Sequence, residues 1–158
     1  MLFRSLKFRC AVVKPKDRLA IWIEHLILNY RSVEGYPSKS VLIGQDGVWS
    51  YQPVREPARP LRKLLDLYWR GLCLPLRFFP RASWAYADTR CKGKSREEAL
   101  RAAKQKWIGN DFVRGSAERE EPYHWLGFRH INPLDEEFEA LSMEVFEPLI
   151  EHERKASD

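Results

Sequence analysis

The chain has 158 residues, 44% of them hydrophobic and 31% charged, enough for one domain with its own core and no need of disulfides or a structural metal. Its three cysteines (Cys10, Cys73, Cys91) are an odd number with no close pair, which fits a reducing cytoplasm; no stretch approaches the roughly 20 apolar residues of a membrane span, and none reads as a signal peptide. The net charge of +5 is uneven: residues 1–94 carry 18 Lys+Arg against 7 Asp+Glu, a net of +11, and residues 95–158 carry 9 against 15, a net of −6. Such a split suits either a basic face for phosphates with an acidic tail turned to a protein partner, or an unevenly charged solvated surface.

Residues Leu6 to Val12 alternate, with Leu6, Phe8, Cys10 and Val12 on one face, the period of a strand. Pro15 ends it, and Asp17 suits the positive end of a helix that runs from Leu19 to Tyr30. That helix is apolar on almost every side except a seam of Glu24, His25 and Asn29, so it is expected as a core element, with the seam residues hydrogen-bonded structurally. KSVLI and VWSYQ then flank GQDG, where Asp46-Gly47 predicts a tight hairpin. Pro57 and Pro60 open an amphipathic helix with Leu61, Leu64, Leu65, Tyr68 and Leu72 on its apolar face, and Pro75 stops it.

LPLRFFPRASWAYADTR is dense in aromatics and broken by Pro80. Ser95 and Glu98 form a capping box, followed by a helix with Leu100, Ala103 and Trp107 on one face, ending at Gly109-Asn110. YHWLGFRHIN reads as either strand or loop. Asn132 is expected to cap a last helix striped by Leu134, Phe138, Leu141, Val145 and Leu149, which Pro148 should kink or end. Three strands and about four helices make an α/β fold, a small mixed sheet packed by helices in a single domain over residues 1–158. Three strands are few for so apolar a helix, which points to a chain drawn from something larger or completed by a partner.

No catalytic or metal motif stands out. The cysteines and the four histidines (His25, His124, His130, His152) are scattered, and buried thiols with ordinary histidines are expected; no nucleophile elbow, phosphate loop or dinucleotide fingerprint occurs. A strand, turn and buried helix is nevertheless the core in which metal-dependent nucleases of the PD-(D/E)XK type set two carboxylates and a lysine around a divalent cation. The matching segment here is FRCAVVKP, where Cys10, Ala11, Val12 and Val13 stand at the carboxylate positions and only Lys14 remains. Catalytic and metal-ligating residues are therefore expected to be none, with Lys14 a motif remnant and no cofactor. Single strands are held by positive grooves with aromatic platforms, and Arg77, Arg81, Arg90, Lys92, Lys94 and Trp84 are the candidate nucleic-acid contacts. Against this, Phe78, Phe79 and Trp84 also suit a core.

DRLAIWIEHLILNY, the hairpin, PLRFFPRASWAY, W-x-G-N-D-F-V-R-G, EEPYHWLGFR and NPLDEEFEAL, in that order, resemble the C-terminal domain of RecC, the gamma subunit of exodeoxyribonuclease V. The resemblance implies a nuclease-like fold without catalytic residues, part of a longer subunit of the RecBCD helicase-nuclease of double-strand-break repair and recombination. It implies RecB, RecD and DNA as partners, and a role where duplex is split and strands are guided. Two other readings remain open: an active metal-dependent nuclease with ligands from elsewhere, such as Asp46 or Asp66, and a module that binds only protein.

Overall fold

The computed structural model describes residues 5–31, 37–109 and 117–156. In chain order the elements are β1 (Ser5–Phe8), α1 (Pro15–Arg31), β2 (Ser40–Gly44), β3 (Gly47–Tyr51), α2 (Ala58–Cys73), α3 (Pro80–Cys91) and α4 (Arg96–Ile108). A 3₁₀ turn (Glu118–Glu120), α5 (Pro122–Phe128), α6 (Glu136–His152) and β4 (Glu153–Lys155) complete the mixed α/β architecture. The chain divides into two compact units, Met1–Leu67 with Pro148–Asp158, and Tyr68–Glu147. None of the helices of the described residues is long and apolar enough to cross a membrane.

In the first unit the sheet order is β1-β2-β3-β4, with β1 parallel to β2 and the other pairs antiparallel. The hairpin forms, with its turn one residue earlier than Asp46-Gly47 predicts: Gly44 pairs with Gly47 across Gln45-Asp46, and Gly47, the first residue of β3, adopts φ +147°, open only to glycine at low cost. The fourth strand, ERK, is not legible in the sequence because it is short and polar. Its residues are fastened individually: Tyr51 Oη donates to Glu153 Oε1 at 2.6 Å, and Arg18 pairs with the other Glu153 oxygen while lying 4.4 Å over the Trp49 ring. Burial and the adjacent Glu153 carboxylate hold the Tyr51 hydroxyl well above its ordinary titration range.

The expected apolar face of the first strand is inverted. β1 ends at Phe8, and Leu6 and Phe8 are 58% and 71% exposed. Lys7 lies in register with buried Leu42 and reaches Glu24 of α1 at 2.5 Å, so the α1 side of the sheet carries Lys7, Leu42 and Trp49. The other side carries Leu6, Phe8 and Val48, which are exposed among the described residues, and Val41 and Ile43, which are half-buried. Alternation dictates which residues share a face, but only the placement of α1 decides which face is buried.

The same sheet corrects the reading of α1. Short strands cover one side of it: Arg18, Ile21, Trp22, His25 and Leu26 are buried, whereas Ile27 and Tyr30 are exposed and Ile23 is half-buried. The polar seam works structurally, as expected. His25 is fully buried, its Nδ1 2.9 Å from Ser40 Oγ and its Nε2 3.0 Å from the Gln52 carbonyl, and burial pushes its pKa down. Asn29 donates to the His25 carbonyl at 2.8 Å and accepts from the Val54 amide.

In α2 only Leu67 is buried; Leu61 and Leu64 are half-buried, and Leu65, Tyr68 and Leu72 of the predicted stripe are exposed. An amphipathic pattern shows that a helix has an apolar face, not that its own chain covers it. All three cysteines are exposed rather than buried: Cys10 follows the short β1, and Cys73 and Cys91 end helices.

The second unit is built around Phe79. Its ring centroid lies 4.4 Å from Trp107, 5.0 Å from His124, 5.2 Å from Phe128 and 6.1 Å from Phe138. The aromatic stretch around it contains a helix, α3, whose buried face is Ala82, Ser83, Tyr86 and Ala87, small residues at helical spacing that the aromatics obscure. α4 begins with the predicted capping box, Ser95 Oγ accepting from the Glu98 amide at 3.2 Å and Glu98 from the Ser95 amide at 3.1 Å. It ends at Gly109, φ +78°, where a Cβ would lie 2.4 Å from the Ala117 nitrogen; Asn110 falls outside the described residues.

The ambiguous YHWLGFRHIN segment holds helix α5, with Pro122 in its first turn and Phe128 in the Phe79 cluster. Seven residues make too little helix to stand alone, so packing decides the conformation. The cap of α6 is Asp135, which accepts from the Phe138 amide at 3.2 Å; Asn132 accepts from Leu134 in a local turn. Phe138, Leu141, Val145 and Leu149 are buried as predicted, with Phe146 added; Leu134 precedes the helix and is half-buried, and α6 continues through Pro148 to His152. The missing amide at Pro148 is outweighed by that buried row, and the Pro148 carbonyl lies 2.8 Å from His152 Nδ1.

Candidate nucleic-acid interface

α3 carries three of the candidate contacts, Arg81, Trp84 and Arg90, and the other three flank it. Phe79 offers it no side-chain cap. Instead the carboxylate of Glu118, 2% exposed, reaches across from the 3₁₀ turn and accepts from the Arg81 amide at 2.9 Å and the Ala82 amide at 2.8 Å. The positive end of α3 is thus closed by a distant residue. Burial pushes the Glu118 carboxyl up; the two amides and the Arg81 side chain oppose this. Nothing local marks Glu118, which lies 36 residues from Ala82 in a polar run.

Three candidates near the start of α3 are tied to the protein itself. Arg77 pairs with Asp135 and lies 3.7 Å from Glu137; Arg81 lies 3.4 Å from Glu121 and 3.9 Å from Glu118. Trp84 is half-buried, edge-on to Phe146 at 5.3 Å. At the other end of α3, Arg90, Lys92 and Lys94 are exposed together on the turn into α4. Arg90 donates to the Lys94 carbonyl at 2.8 Å and Lys92 meets Asp88 at 2.6 Å, which brace the turn. Lys92, Lys94 and Arg101 line a depression of about 370 Å³ beside Thr89, together with the carboxylates Asp88 and Glu98. Sequence reasoning misses Arg101, whose only signal is a place on the polar face of α4.

Nearby, Glu139 receives Arg96 through Nε at 2.7 Å and through a second nitrogen at 2.5 Å, and Tyr86 Oη at 2.6 Å. Arg96, then Tyr86, hold the Glu139 carboxyl below its ordinary range, while burial and Glu139 push Tyr86 up to about 12. This network joins α3, α4 and α6 through one carboxylate.

The nuclease-type positions lie elsewhere, in the first unit. Lys14 is exposed six residues after β1 ends, its amide donating to Asp17 Oδ2 at 2.8 Å. The other Asp17 oxygen accepts from Arg9 at 2.5 Å, and Asp46 Oδ1 accepts from the Val13 amide at 2.8 Å. Asp66 is exposed on α2. Among the described residues no three His, Cys, Asp or Glu side chains are grouped to hold a metal.

A family model, the RecC C-terminal domain, matches residues 3–91. The chain belongs to the RecC C-terminal domain family. No curated protein matches it. The RecC match takes in the first three strands and α1 to α3, and so includes Lys14, Arg77, Arg81, Trp84 and Arg90. Lys92, Lys94 and the elements from α4 onward lie beyond it.

Proposed function

We propose that this chain is a non-catalytic scaffold and strand-guiding domain of the gamma subunit of a RecBCD-type exodeoxyribonuclease V, acting in cytoplasmic double-strand-break repair and recombination. Membership in the RecC C-terminal domain family is the observation that carries the reading. The exposed turn of Arg90, Lys92 and Lys94, joined by Arg101, supplies the charge that a phosphate backbone needs, with Lys92 partly offset by Asp88, whereas Arg77 and Arg81, less exposed, each meet two carboxylates of their own fold. The exposed Leu6, Phe8 and Val48 on one side of the sheet support the scaffold half of the role, a surface for RecB or RecD. They equally favour the second reading, a module that binds protein alone. No cofactor is needed for either.

Affinity for a single-stranded oligonucleotide, measured against salt, tests the guiding role. Binding should fall steeply with salt, and replacing Lys92 and Lys94 by Ala should lower the slope by about 0.7 for each phosphate that is no longer neutralised. No binding at low salt would leave the protein-only module. Sustained, EDTA-sensitive cleavage of duplex DNA in Mg²⁺ would refute the non-catalytic reading.

A further inference from the structure

We propose that the hollow between the 3₁₀ turn and α5 is a pocket for one base of a single-stranded nucleic acid, stacked on Trp125. This rests on the strand-guiding reading above and adds a binding point separate from the basic turn. The hollow, about 420 Å³, is lined by Trp125, Arg129, Arg119, His124 and Trp107, with Glu120 its one acidic residue. Trp125 is 53% exposed although it lies on an ordered helix, and the Arg129 guanidinium sits 4.7 Å from its ring centroid. A guanidinium over an indole makes a rigid, electron-poor stack on which a further flat ring is held well.

The other groups suit the same ligand. His124 Nδ1 donates to the Glu118 carbonyl at 3.0 Å, so in the neutral ring Nε2 is an acceptor, fit for an N–H of a base edge. Its ring is held edge-on to Phe79 at 5.0 Å, so this acceptor is fixed by the core. Arg119 and Arg129 outnumber Glu120 and give the rim the positive charge that the phosphates on either side of a splayed base require. An aromatic side chain of a protein partner would use the indole but not the two guanidinia.

The test compares two labelled strands of equal length on the full chain, one of thymidine nucleotides and one abasic, by fluorescence anisotropy. The parent should bind the base-bearing strand more tightly. Trp125→Ala should weaken binding of that strand by about 5- to 100-fold and leave the abasic strand unchanged, the range expected when one base is no longer stacked. Trp125→Phe should fall between, and it serves if the alanine variant does not fold. Replacing Lys92 and Lys94 by Ala should weaken both strands alike. If the parent binds both strands equally, or the Trp125 variants bind as the parent does, the pocket is refuted while strand guiding stands. If neither strand binds, both proposals fall.

Discussion

Glu118 closes α3 from a distance, and removing it measures how much the fold of the second unit depends on that one side chain. In Glu118→Ala the amides of Arg81 and Ala82, now 2.9 and 2.8 Å from carboxylate oxygens, lose their acceptors, and Ala82 is fully buried, where water cannot replace them. A hydrogen bond to a charged group contributes about 1.5–3 kcal/mol, and the burial of the carboxylate offsets part of two such bonds. The expected loss is therefore about 2–4 kcal/mol, from the top of the range of about 0.5–2 kcal/mol for losing an ordinary helix cap to beyond it, because two buried amides lose their acceptor at once. Glu118→Gln keeps one acceptor but sets an amide donor against a backbone donor, so it should cost about half as much. Urea denaturation followed by circular dichroism gives the global loss. Residue-resolved hydrogen exchange gives the local one: protection of the Arg81 and Ala82 amides should fall about ten-fold or more. An alanine variant within about 0.5 kcal/mol of the parent, with those amides as protected as before, would refute the reasoning.

Gly109→Ala should destabilise by about 1–3 kcal/mol from its φ of +78° alone, and by more because the new Cβ meets the Ala117 backbone; a melting temperature equal to the parent's would contradict this. The depressed pKa of His25 means that the unfolded chain binds its proton more readily. Stability should therefore fall as pH drops below about 6.5, and His25→Gln should remove that component in denaturant titrations between about pH 5 and 7. Leu26→Ala should cost about 2–5 kcal/mol, while Leu72→Ala, on the exposed face of α2, should stay within about 0.5 kcal/mol; equal losses would mean that α2 is covered after all.

Features that depend on neighbours in the chain are legible without the fold. The hairpin at GQDG, the Ser95–Glu98 capping box, the Gly109 stop and the α6 stripe from Phe138 to Leu149 each draw on residues within a few turns of one another, and each forms, the hairpin turn within a residue of its expected place. Features that depend on competition between surfaces are not. Leu6 and Phe8 alternate correctly yet face outward, because α1 covers the side that holds Lys7. The segments that become α3, α5 and β4 carry weak local signals and are set by distant partners: Glu118, Phe79 and Tyr51.

The candidate site divides along the same line. Composition alone marks a basic amino-terminal part and an acidic remainder, and the order of motifs is enough to bring the chain to the RecC C-terminal domain family. Only the tertiary structure separates cations by duty. Arg77 and Arg81 meet carboxylates brought from far along the chain, among them Asp135, 58 residues from Arg77, and Glu121, 40 from Arg81, whereas Arg90, Lys94 and Arg101 gather around one turn with Lys92, whose partner Asp88 is local. Charge is a property of each residue, but its availability depends on which opposite charge the fold brings within reach, and that pairing is decided in three dimensions.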